Sequence, residues 1–129
     1  MYKLVLLFFI PIICFSQSSE DDKYEILDYM IFKNKVEQKN TLLFDVRTSK
    51  EYNEGHIKGA VNVDFYNENS FIKFFKKIDN TKEIYIYCRS GNRSRKSSEK
   101  LIKIGFSKIY DLKDGYVNWK NNQQKKTNF

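Results

Sequence analysis

Chemistry-bearing residues are few in this chain: two Cys and one His stand among 129 residues. Two cysteines exclude a disulfide scaffold and a cysteine-rich metal module. With a single histidine beside them, no Cys/His set for a metal can be written, and no nucleotide-binding glycine loop is present. The expectation is therefore no metal and no cofactor. Proline occurs once and glycine five times, which excludes collagen-like and low-complexity chains. The apolar run from Leu4 to Ile13, interrupted by Pro11, is shorter than the roughly 20 residues of a spanning helix. Acidic side chains are in the minority, 16 Asp plus Glu against 23 Lys plus Arg, for a formal net charge of +7. That excess suits nucleic acid, anionic lipid or a small anion, and the total alone does not choose among them. What remains is an apolar content of 41%, enough for the core of one domain of ordinary size, roughly 100–200 residues.

The N-terminus reads as an address. Lys3 supplies a positive start, and Leu4 to Ile13 has the length of a secretory h-region, about 7–15 residues. Small residues, Cys14 and Ser16, precede a cut before Gln17. Residues 1–16 are thus expected to be a signal peptide, 17–23 a polar linker, 24–124 the folded domain and 125–129 a polar tail that frays. The expected location is periplasmic or secreted, with no stable membrane insertion after cleavage. The competing reading is a lipoprotein with Cys14 as the lipidated residue; bulky Ile13 directly before it argues against that. Cleavage after Ser16 removes Lys3 and Cys14 and leaves Cys88 as the one thiol. In an oxidising compartment such a thiol is buried, paired between chains or used chemically.

Strands and helices alternate through the rest. Strands are expected at Tyr24 to Leu27, Thr41 to Val46, Ala60 to Val63, Glu83 to Tyr87 and Lys108 to Leu112, from short apolar or alternating runs. Between them, Asp28 caps a helix reaching about Gln38, Thr48 or Ser49 starts a turn ended by Gly55, and Phe71, Ile72, Phe74, Phe75 and Ile78 form one helix face. Ser94 is expected to cap a helix through Ile104, and Tyr116 to about Gln124 forms the last. This order predicts an α/β fold, a central parallel β-sheet with helices on both faces.

Cys88-Arg89-Ser90-Gly91-Asn92-Arg93-Ser94 joins a buried strand to a helix. Ligands of open α/β sheets bind at the carboxyl ends of the strands, where this loop lies. Unpaired amides and the helix macrodipole at such a place favour thiolate over thiol, and Gly91 permits the positive φ that a curled anion nest requires. An inert core cysteine is the alternative. Against it, three of the chain's four arginines (Arg89, Arg93, Arg95) crowd this stretch, and arginine is the donor suited to oxyanions. Lys73, Lys76 and Lys77 lie opposite an apolar helix face, and the aromatics fall on apolar faces, so nucleic acid is not an expected partner.

Three blocks together resemble the rhodanese-like sulfurtransferases, and the resemblance covers nearly all of residues 24–120. Asp45-Val46-Arg47, Glu51-Tyr52 and Gly55-His56-Ile57-Lys58-Gly59-Ala60-Val61-Asn62-Val63 are similar to the family's first signature, with Lys58 where a proline is usual. The Cys88 loop is similar to its active-site loop, and Asp111-Leu112, Gly115-Tyr116 and Trp119 to its closing segment. The resemblance implies a single rhodanese-like domain in which Cys88 takes sulfur from a small anionic donor such as thiosulfate. The persulfide so formed passes it to a thiol or cyanide. Arg89, Ser90, Gly91, Asn92 and Arg93 would bind the anion, Arg93 closing the loop and Arg89 meeting the incoming donor. Asp45, Arg47, Glu51 and His56 are expected to be structural, with Arg47 and Glu51 as an ion pair. Two other readings stay open: a sulfur carrier that delivers the persulfide to a partner without turnover, and a phosphatase or arsenate reductase on the same fold. Phosphatase relatives use a loop one residue longer than Cys88 to Arg93, which weighs against the last.

Overall fold

The computed structural model describes residues 24–127, with Met1 and Ile12 as isolated additions. The expected cleavage site, Cys14, the linker 17–23 and residues 128–129 lie outside the described residues. Five strands, β1 (Tyr24–Leu27), β2 (Leu42–Asp45), β3 (Val61–Asn62), β4 (Ile84–Tyr87) and β5 (Ile109–Leu112), alternate with five helices. These are α1 (Tyr29–Val36), α2 (Ser49–Glu54), α3 (Glu68–Phe75), α4 (Asn92–Lys103) and α5 (Gly115–Thr127). The strands form one sheet in the order β1-β5-β4-β2-β3, and every pairing is parallel. No helix among the described residues is long and apolar enough to cross a membrane.

Strand β4 shows how the sequence builds two cores. Side chains alternate across a strand, so Ile84, Ile86 and the following Cys88 join Phe71, Phe75, Leu101 and Phe106 on the α3/α4 face. Tyr85 and Tyr87 point the other way, to Phe32, Ile57 and the rings of Tyr116 and Trp119 under α1 and α5. All four β4 residues are buried, as expected for a central parallel strand covered on both faces.

The elements differ from expectation mainly at their ends. Gly91, at φ 109°, takes the N-cap position of α4, so the helix starts at Asn92 and Ser94 is no cap. Its hydroxyl lies instead inside the first turn and is fully buried. Asp28 does stand at the N-cap of α1, but its side chain caps nothing. Helix α5 runs on to Thr127 where a frayed tail from Lys125 was expected, with the Thr127 hydroxyl donating to the Gln123 carbonyl at 3.2 Å.

Candidate active site

The carboxyl ends of β2, β4 and β5 meet at the Cys88 loop. Cys88 follows the last residue of β4, and 1% of it is exposed. The Gly91 amide donates to its Sγ at 3.1 Å, with the first turn of α4 directly behind, so the positive end of that helix faces the sulfur. At Sγ itself one loop amide arrives, that of Gly91, in place of the full collar expected from residues 89–93. The Ser94 hydroxyl stands 3.4 Å from Sγ. The loop is held from below by α5: the amides of Tyr116 and Val117 donate to the carbonyls of Cys88 and Arg89 at 2.8 and 3.1 Å. Gly115 makes this approach possible, because a Cβ there would stand 2.5 Å from the Cys88 carbonyl oxygen.

The expected Arg47–Glu51 ion pair is absent; each residue has another partner. The Arg47 guanidinium folds back onto Asp45, its Nη2 at 2.7 Å from Oδ2 and Nε at 3.0 Å from Oδ1. It also donates to the Gly55 carbonyl at 2.7 Å and lies 4.2 Å from the centroid of Tyr116. The Tyr87 hydroxyl donates to the same Asp45 carboxylate at 2.8 Å and accepts from the Ile57 amide at 3.0 Å. Asp45 and Arg47 are 0% and 4% exposed, so together with Tyr87 they form a buried ionic strut between β2, β4 and the segment after α2.

Glu51 instead takes Arg93 in a two-pronged pair, 2.7 and 2.8 Å. It is presented by a capping box in which the Thr48 amide and hydroxyl both donate to it at 3.0 Å. Arg93 thus ties the loop to α2, with its charge already matched. Arg89 is left as the exposed loop arginine. It lines a groove of about 350 Å³ with Arg47, Glu51, Tyr116 and Lys120. Ser90 and Asn92 are exposed on the loop's surface. His56 is exposed, stacked on Tyr52 at 3.7 Å with Nδ1 2.9 Å from that residue's carbonyl oxygen; it does not reach Cys88.

The Arg93 guanidinium, helped by the Thr48 donors, holds the Glu51 carboxyl down at about 2, against an ordinary 4.5. A depressed carboxylate adds stability that is fully present above its unfolded value and is lost as pH falls through its folded one. The loop-to-α2 tie is accordingly intact at pH 5 and fails between about pH 4.5 and 2. Acid unfolding followed by circular dichroism should show this leg in the native protein and a weakened one in Glu51→Gln.

Sequence reasoning missed Asp111 as a site residue. It sits in β5, is 2% exposed, and accepts from Ser94 Oγ and the Tyr24 hydroxyl, both at 2.9 Å from Oδ2. The available signal was a carboxylate placed inside a short apolar strand, where an ionised group is costly unless it is partnered.

A buried sulfur that accepts from a loop amide at the N-terminus of a helix, with an exposed arginine next in the chain, is the candidate nucleophile of a parallel α/β sheet. The Rhodanese-like domain model matches residues 30–122, and the chain belongs to that family. It is 38% identical over 111 residues to a tRNA uridine(34) hydroxylase of Pelagibacter ubique, covering 86% of this chain and 37% of that protein. It is 34% identical over 89 residues to the putative sulfur carrier protein YrkF of Bacillus subtilis, covering 68% of this chain and 46% of that one. The chain therefore spans less than half the length of either relative. Among solved structures, a rhodanese-like domain protein from Staphylococcus aureus superposes with a TM-score of 0.64 at 26% identity, over 74% of this chain and 90% of that one. The human single-domain sulfurtransferase TSTD1 shares the fold with a TM-score of 0.64 at 19% identity, over 74% and 95% of the two chains.

Proposed function

We propose that this protein is a sulfurtransferase that moves sulfane sulfur from thiosulfate, or a similar small anionic donor, to a thiol or cyanide through a persulfide on Cys88. The Cys88 thiolate attacks the outer sulfur of the donor. A new S–S bond forms, the donor's S–S bond breaks, and sulfite leaves with the bonding pair. The acceptor then attacks the outer sulfur of the persulfide and releases the Cys88 thiolate, so charge and electrons balance over the cycle. The Gly91 amide and the α4 terminus stabilise negative sulfur, and Arg89 with Lys120 draws the anion to the rim.

The observation that carries this reading is Cys88 Sγ at 3.1 Å from the Gly91 amide, at the head of α4. Purified protein given thiosulfate and cyanide should release thiocyanate catalytically. The likeness to YrkF, named as a sulfur carrier, supports a second reading in which the persulfide is handed to a partner protein. Persulfide that forms without turnover on small acceptors would favour it. Export through residues 1–16 belongs to the same proposal, and N-terminal sequencing of the mature protein tests it: a start at Gln17 supports it, and a start at Cys14 replaces it with a lipoprotein.

A further inference from the structure

We propose that Asp111, acting through the Ser94 hydroxyl, holds the proton of Cys88 and so sets the pH range over which that sulfur is nucleophilic. The proposal rests on Cys88 being the reacting thiol.

Cys88 Sγ, Ser94 Oγ and Asp111 Oδ2 form a continuous chain with steps of 3.4 and 2.9 Å. All three residues are buried, at 1%, 0% and 2% exposure, so water does not compete for the proton. The chain is complete in two protonation states. With the thiol intact, S–H donates to Ser94 Oγ and the Ser94 hydroxyl donates to the Asp111 carboxylate. Moving one proton along each link leaves a thiolate that accepts from Ser94, and Ser94 accepts from the Asp111 carboxylic acid. The net charge stays −1 and passes from carboxylate to sulfur. The Gly91 carbonyl, 3.2 Å from Ser94 Oγ, offers that hydroxyl a second acceptor once sulfur is capped by substrate.

Two features point to a neutral Asp111 in the working state. Its Oδ1 is buried with no hydrogen-bond partner, and such an orphan costs less on a carboxylic acid than on a carboxylate. Burial also pushes the Asp111 carboxyl up to about 7, against the lowering effect of Ser94 and Tyr24 as donors. The groups facing Asp111 are Tyr24 from β1 and Ser94 from α4, with the Cys88 sulfur on the far side of the Ser94 hydroxyl. Arg95, Lys113 and Asp114 stand around the groove that it lines. Neither the two cations nor the one anion of that groove pairs with it, so the Ser94 hydroxyl is the link through which Asp111 and Cys88 would share one proton.

Alkylation of Cys88 by iodoacetamide, followed at the Cys88 peptide by mass spectrometry across pH, tests this without any sulfur donor. The rate in the native protein should follow the titration of Asp111 with pH, a dependence that Asp111→Asn lacks and Ser94→Ala weakens. Carboxyl carbon NMR of the native protein gives the reciprocal readout and needs no variant to fold. Once Cys88 carries a neutral alkyl group, Asp111 should titrate lower by about one pH unit or more. An Asp111 midpoint that does not move on alkylation, or an Asn variant with the native rate profile, overturns the relay. Neither outcome touches the thiosulfate assay, so failure of the relay and failure of the sulfurtransferase reading are told apart.

Discussion

Cys88→Ser is expected to abolish thiocyanate formation from thiosulfate and cyanide, lowering kcat by about three orders of magnitude or more, while the protein stays folded. Serine is close to cysteine in size, and the site offers the new hydroxyl a partner in Ser94, 3.4 Å from the present sulfur. Its stability cost is therefore small, within about 1 kcal/mol. The chemical loss is total because nothing at the site deprotonates an alcohol: His56 is stacked on Tyr52 away from the loop, and Ser94 and Asp111 suit a thiol's proton. Steady-state thiocyanate release, beside a thermal melt of the same preparation, separates the two effects. A variant that melts like the native protein and still turns over would show Cys88 to be a core residue after all.

The largest stability effect is expected at Arg47. Arg47→Met leaves the Asp45 carboxylate, 0% exposed, with the Tyr87 hydroxyl and the Arg47 backbone amide as its donors and no cation. Breaking a buried ion pair from one side costs about 3–5 kcal/mol. The Gly55 carbonyl also loses its partner, which loosens the segment that carries Ile57 and the Tyr87 hydroxyl contact. Removing both charges in Asp45→Leu with Arg47→Met should recover part of the loss, because the uncompensated charge goes with them. Urea unfolding of the native, single and double variants measures this. A single variant as stable as the native protein contradicts the account of the strut.

Much of this arrangement was legible in the sequence because it depends on local pattern. The alternation in β4 places Ile84 and Ile86 on one face and Tyr85 and Tyr87 on the other. The position of Cys88 at the end of that strand follows from the same run, and Gly91 was readable as the residue that lets the loop turn. The Arg47–Glu51 pairing failed for an identifiable reason. Four residues of separation bring side chains together only within a helix, and α2 begins at Ser49 with Thr48 as its cap. Arg47 thus lies in the bend between β2 and α2, where it reaches back two residues, and Glu51 faces Arg93, 42 residues away. Asp111 was legible as a strand residue but not as a site residue. Its partners, Ser94 and Tyr24, are 17 and 87 residues distant, and they meet because β1 lies beside β5 and α4 packs against β5. Ser94 precedes a helical run, as a cap does. The left-handed Gly91 starts the helix earlier and turns that hydroxyl inward to the sulfur.

Mass spectrometry of the protein after brief exposure to thiosulfate reads the Cys88 persulfide itself. One added sulfur atom is expected, mapped to the Cys88 peptide, absent from Cys88→Ser and removed by cyanide with release of thiocyanate. A Cys88 that stays unmodified in thiosulfate, with its thiol shown free by alkylation in the same sample, would contradict the proposed sulfur transfer.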